Sequence, residues 1–341
     1  MRIILHCGTH KTGTSSIQYV LSSRRDELHQ AGLCYPANAH RDYAAQNSHN
    51  WIAKAFTGVY DCTKDDVAEA LRRHAGSPTV ILSSEDLSCS LLGFRLWAGL
   101  DRDDFRRRQR DYLQVVADTL GAWEVHPVLV FRRGDEFAQS LYQYLVRKDH
   151  FTRSFEAFLN YARPLFEYRE QARAIEGAFG RVDLLSYHDL ADDICGNFLA
   201  RIGLPGFEGG SPRRNRSPDA RLTYWLATRN DREVPGAASR MERTIFVTTA
   251  GARSVFAERP GAGFWPDDIA REAFHGRCAA GLDGLTFPKS ALAEVGSAVL
   301  GAEDLMAVDR AFEIWRAARR KVGARRRPWW RFWRNASERK A

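Results

Sequence analysis

The first eighteen residues, MRIILHCGTHKTGTSSIQ, constrain the fold more than any other stretch of the chain. Residues 2–5 form an apolar run as long as one buried strand and too short for a signal peptide or a membrane span. Gly8 and Gly13 bracket the loop that follows. From Thr14 the pattern turns helical, with Ile17, Val20 and Leu21 on one face. Hydroxyl residues stand at the helix start, where free backbone N–H groups bind anions. A strand that passes through a glycine-bracketed loop into a helix opens an α/β domain and outlines a phosphate cradle; the same outline also serves as a purely structural turn.

The spacing invites comparison with the Walker A loop, G-x-x-x-x-G-K-[ST]. Gly8 and Gly13 satisfy its glycines and Ser15 its final hydroxyl, but Thr14 stands where the lysine belongs. The loop's lysine is Lys11, so its cation meets an anion from a different side than in a nucleoside triphosphatase. An ordinary magnesium-dependent ATPase is disfavoured.

The residues His6, Gly8, His10, Lys11, Thr12, Gly13, Thr14, Ser15, Ser16, Ile17 and Gln18 fill the pattern H-x-G-x-H-K-T-G-T-[ST]-S-I-Q. This resembles the opening of sulfotransferases that use 3′-phosphoadenosine 5′-phosphosulfate (PAPS), in particular a bacterial branch of that family. The resemblance implies that Lys11 contacts the sulfuryl group and the bridging oxygen, with His10 beside it in the donor site. It implies too that Thr12, Gly13, Thr14, Ser15 and Ser16 hold the 5′-phosphate. The chemistry agrees: sulfuryl transfer expels a phosphate, and a lysine at the leaving oxygen stabilises the charge that develops there.

Further along, residues 34–58 mix Tyr, Asn and His before a short helical stretch, and such a segment can line an acceptor pocket. His49, in this segment, is a candidate catalytic base or a helix-start residue. Residues 79–82 (TVIL) read as a second buried strand ending in Ser83-Ser84-Glu85-Asp86, at the strand end where ligands gather in open parallel sheets. Glu85 is the candidate general base; the competing reading is a helix N-cap with acidic first-turn residues. Residues 102–121 read as an amphipathic helix that ends at glycine, with Tyr112, Leu113, Val116 and Leu120 inward and its arginines solvated.

A third strand, residues 128–131, leads into Arg132-Arg133-Gly134-Asp135-Glu136. Sulfotransferases resemble this region: an arginine at the strand end and a serine eight positions on grip the 3′-phosphate, a pattern met by Arg132 and Ser140. A planar guanidinium suits phosphate bidentately and a hydroxyl adds a donor. A helix and a strand over 182–185 then precede Tyr187, which by resemblance lies against the adenine, although His188 replaces the usual acidic residue. The Gly/Pro/Arg-rich stretch after Pro205 reads as loop. Within it, Arg213, Arg214 and Asn215 resemble a loop that closes over the nucleotide in bacterial members.

Charge bears on partners. The formal net charge is +8, but residues 316–341 alone carry eleven Lys/Arg and one Glu, net +10, which leaves −2 for residues 1–315. The body is therefore no basic nucleic-acid domain. The tail RRRPWWRFWR, with Arg325 to Arg327 and four aromatic residues, suits peripheral contact with an anionic membrane. Six cysteines without a C-x-x-C pair indicate neither a zinc site nor a disulfide framework, which fits a reducing cytoplasm.

The expectation is an α/β fold: a single P-loop-type domain over residues 1–315, with a central parallel sheet flanked by helices and a helical C-terminal part. Residues 1–205 form its PAPS-binding half and 206–315 a helical acceptor-side region, before a basic Trp-rich tail at 316–341. The resemblance implies sulfuryl transfer from PAPS, without a metal, to a hydroxyl or amine of a carbohydrate or small molecule. The alternatives are a P-loop small-molecule kinase and a non-catalytic nucleotide-binding interaction protein.

Overall fold

The computed structural model describes residues 1–97, 99–204, 218–230, 237–257, 262–290, 292 and 298–323. The run 213–217 and the basic tail from residue 324 lie outside the described residues. Five strands form one sheet: β1 (Arg2–His6), β2 (Leu33–Cys34), β3 (Thr79–Ser83), β4 (Glu124–Phe131) and β5 (Asp183–Ser186), in the order β2-β3-β1-β4-β5. Every pairing is parallel. Helices separate the strands in sequence, because parallel neighbours need crossover connections. The expected α/β class with a central parallel sheet is what forms.

Strand order decides where the site lies. The chain leaves β1 toward β2 and β3 on one side, then crosses to β4 and β5 on the other. At such a reversal the loops at the carboxyl ends diverge and leave a crevice. The loop after His6, the turn after Ser83 and the residues after Phe131 all start from that edge.

The sheet is buried on both faces, which is why its strands read as continuous apolar runs. On one face Ile4, Ile81, Val128 and Val130 pack with Ile17 and Leu21 of the helix Thr14–Ser23 and with Phe198 and Leu199 of the helix Ile194–Arg201. On the other, Ile3, Leu5, Val80, Leu82, Leu129 and Phe131 are equally inaccessible. There Phe131 stacks on Tyr168 at 4.3 Å, and Tyr112 donates to the Ala53 carbonyl at 3.0 Å. Full burial of each such side chain stabilises the fold by about 1.5–3 kcal/mol.

Local signals placed the helices well. The helix Arg102–Leu120 begins at Asp101, whose carboxylate accepts from the N–H groups of Asp103 and Asp104, and it stops at Gly121. Its arginines are not all solvated, however: Arg106 is buried, with Nη1 donating to Gln109 at 2.6 Å and Nη2 to Glu167 at 3.1 Å. Strand β4 starts four residues before the expected 128, despite Pro127. Pairing with β5 begins only at Val128, so Pro127 lies where β4 has a neighbour on one side alone. Strand β2, at two residues, is too short to carry any periodicity. The capping alternative for Ser84 to Asp86 is not met: residues 85–88 form a turn, and the next helix is Leu91–Leu96.

The chain divides into two compact units. The first comprises Met1–Leu141, Phe155–Arg216 and Asp267–Leu292, and contains the sheet. The second comprises Tyr142–Ser154, Ser217–Pro266 and Ala293–Ala341. Its described core is aromatic, with Trp225, Phe246 and Phe312 in mutual ring contact. Asp309 binds both Trp225 Nε1 at 2.9 Å and the Arg229 guanidinium. Among the described residues no helix is long and apolar enough to cross a membrane.

Candidate active site

The loop after β1 is held from below. Cys7 and Thr9 extend the β1–β4 pairing through N–H bonds to Val128 and Val130 carbonyls at 2.9 and 3.2 Å. The Thr9 hydroxyl also donates to Val130 at 3.0 Å, while the Thr12 hydroxyl, fully buried, donates to Thr9 O. Thr12 therefore anchors the loop from within it. Lys11 takes φ 68°, a left-handed value that costs a non-glycine residue roughly 1–2 kcal/mol.

Gly13 is left-handed as well, at φ 78°, and is the N-cap of the helix Thr14–Ser23. A Cβ there would fall 1.9 Å from Ile194 Cδ1 and 3.3 Å from the Tyr187 ring. At Gly8 a Cβ would meet Thr14 Cγ2 at 2.7 Å and His6 Nε2 at 2.8 Å. Both positions need glycine for close approach. The cap supplies no side-chain bond, so the positive end of the helix meets the loop without an internal anion. Thr14 is buried and Ser15 exposed beside it.

From the other side of β1, Arg132 reaches the same loop. Its Nη1 donates to the Lys11 carbonyl at 3.4 Å across 121 residues, and its guanidinium lies over the Tyr187 ring at 5.1 Å. Lys11 and Gly13 of the loop, Arg132 after β4 and Tyr187 after β5, three separate stretches of sequence, thus meet around one loop. Glu136, almost fully buried, holds Arg132 Nε at 3.0 Å. Ser140 follows Glu136 by four positions on the helix Gly134–Lys148, hence on the same face, and is buried. No sequence signal singled out Glu136.

His188 lies close by. Its Nε2 accepts from the Arg133 N–H at 3.4 Å and is 3.7 Å from Glu136. Burial lowers its pKa, Arg132 and Arg133 oppose protonation, and the nearby Glu136 does not outweigh them. The ring is therefore a neutral acceptor, and its approach to Glu136 is not an ion pair.

Arg133, next in sequence, is buried. It pairs with Asp135 at 2.8 Å and with Glu272, and donates to the Pro288 carbonyl at 2.9 Å. Asp135, fully buried, also accepts from Ser290 Oγ at 2.7 Å. This network fastens the strand end behind Arg132, and its partners 139 and 155 residues away left no mark in the local pattern.

At the end of β3, Glu85 is half-buried and accepts from Gln18 Nε2 at 3.0 Å, which ties it to the helix of the first loop. Its neighbour Asp86 meets His10 Nε2 at 3.2 Å. Burial raises the Asp86 pKa, yet the His10 hydrogen bond and charge, helped by Arg95 and Lys54, leave it below the usual carboxylate value. So His10 and Glu85 both come to the β1/β3 edge, each fixed by a side chain from the other segment.

His49 is placed differently. Its Nδ1 accepts from the Ser83 N–H at 3.0 Å and its Nε2 donates to the Pro36 carbonyl at 2.9 Å. Burial pushes its pKa down to about 4. Both ring nitrogens are engaged in joining the segment after β2 to β3, which is a structural task and leaves no lone pair for an acceptor proton. His6 is also buried, with Nδ1 2.8 Å from Ser83 Oγ and its pKa lowered to about 3 by burial. No group of three or more His, Cys, Asp or Glu suited to a metal occurs among the described residues.

No protein-family model matches the chain, and no curated protein matches it. Among solved structures, the chain is similar to a sulfotransferase from Alicyclobacillus acidocaldarius at 18% identity and a TM-score of 0.39, over 71% of this chain and 94% of that one. Likeness at this level says nothing about chemistry, which has to come from the residues themselves.

Proposed function

We propose that the chain is a sulfotransferase that moves a sulfuryl group from PAPS to a hydroxyl or amine of a small-molecule or carbohydrate acceptor. The observation that carries this reading is the meeting of Arg132 with Lys11 and Tyr187: a loop cation, a second guanidinium and an aromatic face on one glycine cradle. A donor with two separated phosphates and a purine calls for those three groups. The cradle suits a phosphate, since the helix N-terminus carries no cap side chain and no acidic residue in its first turn.

PAPS, as donor substrate, supplies an activated sulfuryl group on a phosphate leaving group. The N-terminal N–H groups and hydroxyls of Thr14, Ser15 and Ser16 bind the 5′-phosphate, with Thr12 and Gly13 shaping the loop. Arg132 and Ser140 bind the 3′-phosphate, Glu136 orients the guanidinium, and Tyr187 flanks the adenine. Lys11 stabilises charge on the leaving oxygen. Glu85, steadied by Gln18, takes the proton of the acceptor hydroxyl. The His10–Asp86 pair holds the loop against the end of β3. Contact of the tail with an anionic membrane remains part of this reading, to be tested by co-sedimentation with acidic liposomes before and after removal of residues 325–341.

A kinase reading meets Thr14 at the Walker lysine position. Calorimetry decides: adenosine 3′,5′-bisphosphate should bind without magnesium, and ATP with magnesium should not compete. Tight magnesium-dependent ATP binding with no bisphosphate binding would overturn the proposal in favour of the kinase. Donor binding with no sulfated product across hydroxyl and amine acceptors, followed by mass spectrometry, would point to the non-catalytic alternative.

A further inference from the structure

The helix Arg102–Leu120 turns a stripe inward through Phe105, Tyr112, Val116 and Leu120, and Gln109 stands in that stripe at 1% exposure. Its amide orientation follows from its partners. Arg106 Nη1 lies 2.6 Å from it, and a guanidinium only donates, so the Gln109 oxygen faces Arg106. The amide nitrogen is left to donate to the Ser88 carbonyl at 2.9 Å, with Ser90 Oγ at 3.5 Å. An acceptor toward Arg106 together with a donor toward Ser88 is a combination that a side-chain amide supplies and a carboxylate does not.

Ser88 closes the turn that carries Glu85 and Asp86, and that turn needs a hold. The next residue, Cys89, is fully buried at φ 52°, a left-handed value disfavoured for any residue with a Cβ. Strain of this kind persists only where the surroundings over-determine it. The Ser88 hydroxyl lies 3.4 Å from the Glu85 carbonyl and 3.2 Å from Ser90 Oγ, and Ser90 Oγ donates to Gln171 Oε1 at 2.7 Å. Arg106 is in turn paired with Glu167 at 3.1 Å. A buried polar chain thus runs from Glu167 through Arg106 and Gln109 to the backbone of the turn.

We propose that Gln109 is a positioning residue for the candidate base. By holding the Ser88 carbonyl it fixes the turn, and through the turn the direction in which Glu85 meets an acceptor. Gln18 fixes the carboxylate of Glu85 from one end, and Gln109 fixes the backbone that carries it. The inference rests on Glu85 being the base of the proposed sulfuryl transfer.

The test is Gln109→Glu in the full chain, with a circular dichroism melt to verify folding. Glutamate keeps the size of the side chain and an acceptor for Arg106, but sets an oxygen against the Ser88 carbonyl. Amide hydrogen exchange over residues 85–89 should quicken by roughly tenfold or more, with β1 and β4 unchanged, as for a local opening. The turnover number should fall by roughly 10- to 100-fold, the scale of a small misplacement of a catalytic group, while adenosine 3′,5′-bisphosphate binds as before. In the Glu85→Gln background Gln109→Glu should cost no further turnover, because its effect passes through that carboxylate. Should Gln109→Glu not fold, Ser90→Ala, which releases the turn from Gln171, is put to the same measurements with the same expected pattern. Unchanged exchange, a normal turnover number, or losses that multiply in the double variant would overturn the inference. Near-normal turnover of Glu85→Gln would overturn the base assignment itself, a failure told apart from the others because Gln109 is intact in that variant.

Discussion

Glu136 holds the guanidinium of Arg132 through Nε at 3.0 Å, which turns Nη1 toward the Lys11 carbonyl. The arginine is thus oriented before any ligand arrives, and its remaining hydrogen-bonding edge is what an anion would meet. Arg132→Ala should weaken adenosine 3′,5′-bisphosphate binding by about 10- to 100-fold, the range for charged hydrogen bonds. It should also lower stability, because the buried Glu136 carboxylate loses its ion pair with Arg132. Calorimetry and chemical denaturation check the two effects separately. Unchanged affinity would remove Arg132 from the 3′-phosphate site.

Lys11→Ala should reduce turnover by roughly 10²–10³ while leaving donor affinity nearly intact, as for an electrostatic group acting mainly in the transition state. Because residue 11 sits at φ 68°, Lys11→Gly relieves the backbone cost and should fold at least as well as the alanine variant. Equal loss of turnover in both variants assigns the effect to the ammonium; recovery in the glycine variant alone assigns it to loop conformation.

Glu85→Gln keeps an oxygen that can accept from Gln18 and removes the basicity. Turnover should fall by roughly 10²–10⁴ with bisphosphate affinity and thermal midpoint unchanged. Steady-state rates and a thermal melt measure this, and a variant that works at near-normal rate would return the base to another group at the β1/β3 edge.

His49→Ala should act on stability. It leaves the Ser83 N–H and the Pro36 carbonyl without partners inside the fold, each costing about 1–3 kcal/mol. The loss appears as a lower denaturant midpoint, whereas a folded variant with normal stability and no turnover would restore a catalytic part to this ring.

Acid should destabilise the fold through buried imidazoles. Burial lowers His49 to about 4 and His6 to about 3 from the ordinary 6.5. Between these values the unfolded chain binds protons that the folded chain refuses. Stability is therefore fully present above about pH 6.5 and declines as pH falls toward 4. Denaturant titrations at pH 7.5, 6, 5 and 4.5 should trace that decline, on the order of a few kcal/mol for the two rings together. His6→Asn should flatten it, and an unchanged slope would show that His6 contributes nothing to the acid response.

Much of the scaffold was legible in the chain itself. The β1–loop–helix start follows from an apolar run, two glycines and a helical stripe, all within eighteen residues. The helix Arg102–Leu120 follows from its inward apolar positions and Gly121. These signals are local: capping, turn conformation and periodicity act between residues a few positions apart, so they survive in a linear reading. Tertiary structure alone decided what the polar side chains do. His49 became a buried brace because β3 brought Ser83 N–H to it across 34 residues. Arg133 left the solvent because Glu272 and Asp135 could neutralise it there, and Glu136 entered the candidate site because Arg132 needed a partner. A buried charge or ring nitrogen is tolerated only where its partners converge, and such convergence belongs to the packed chain, because the partners lie far apart in sequence.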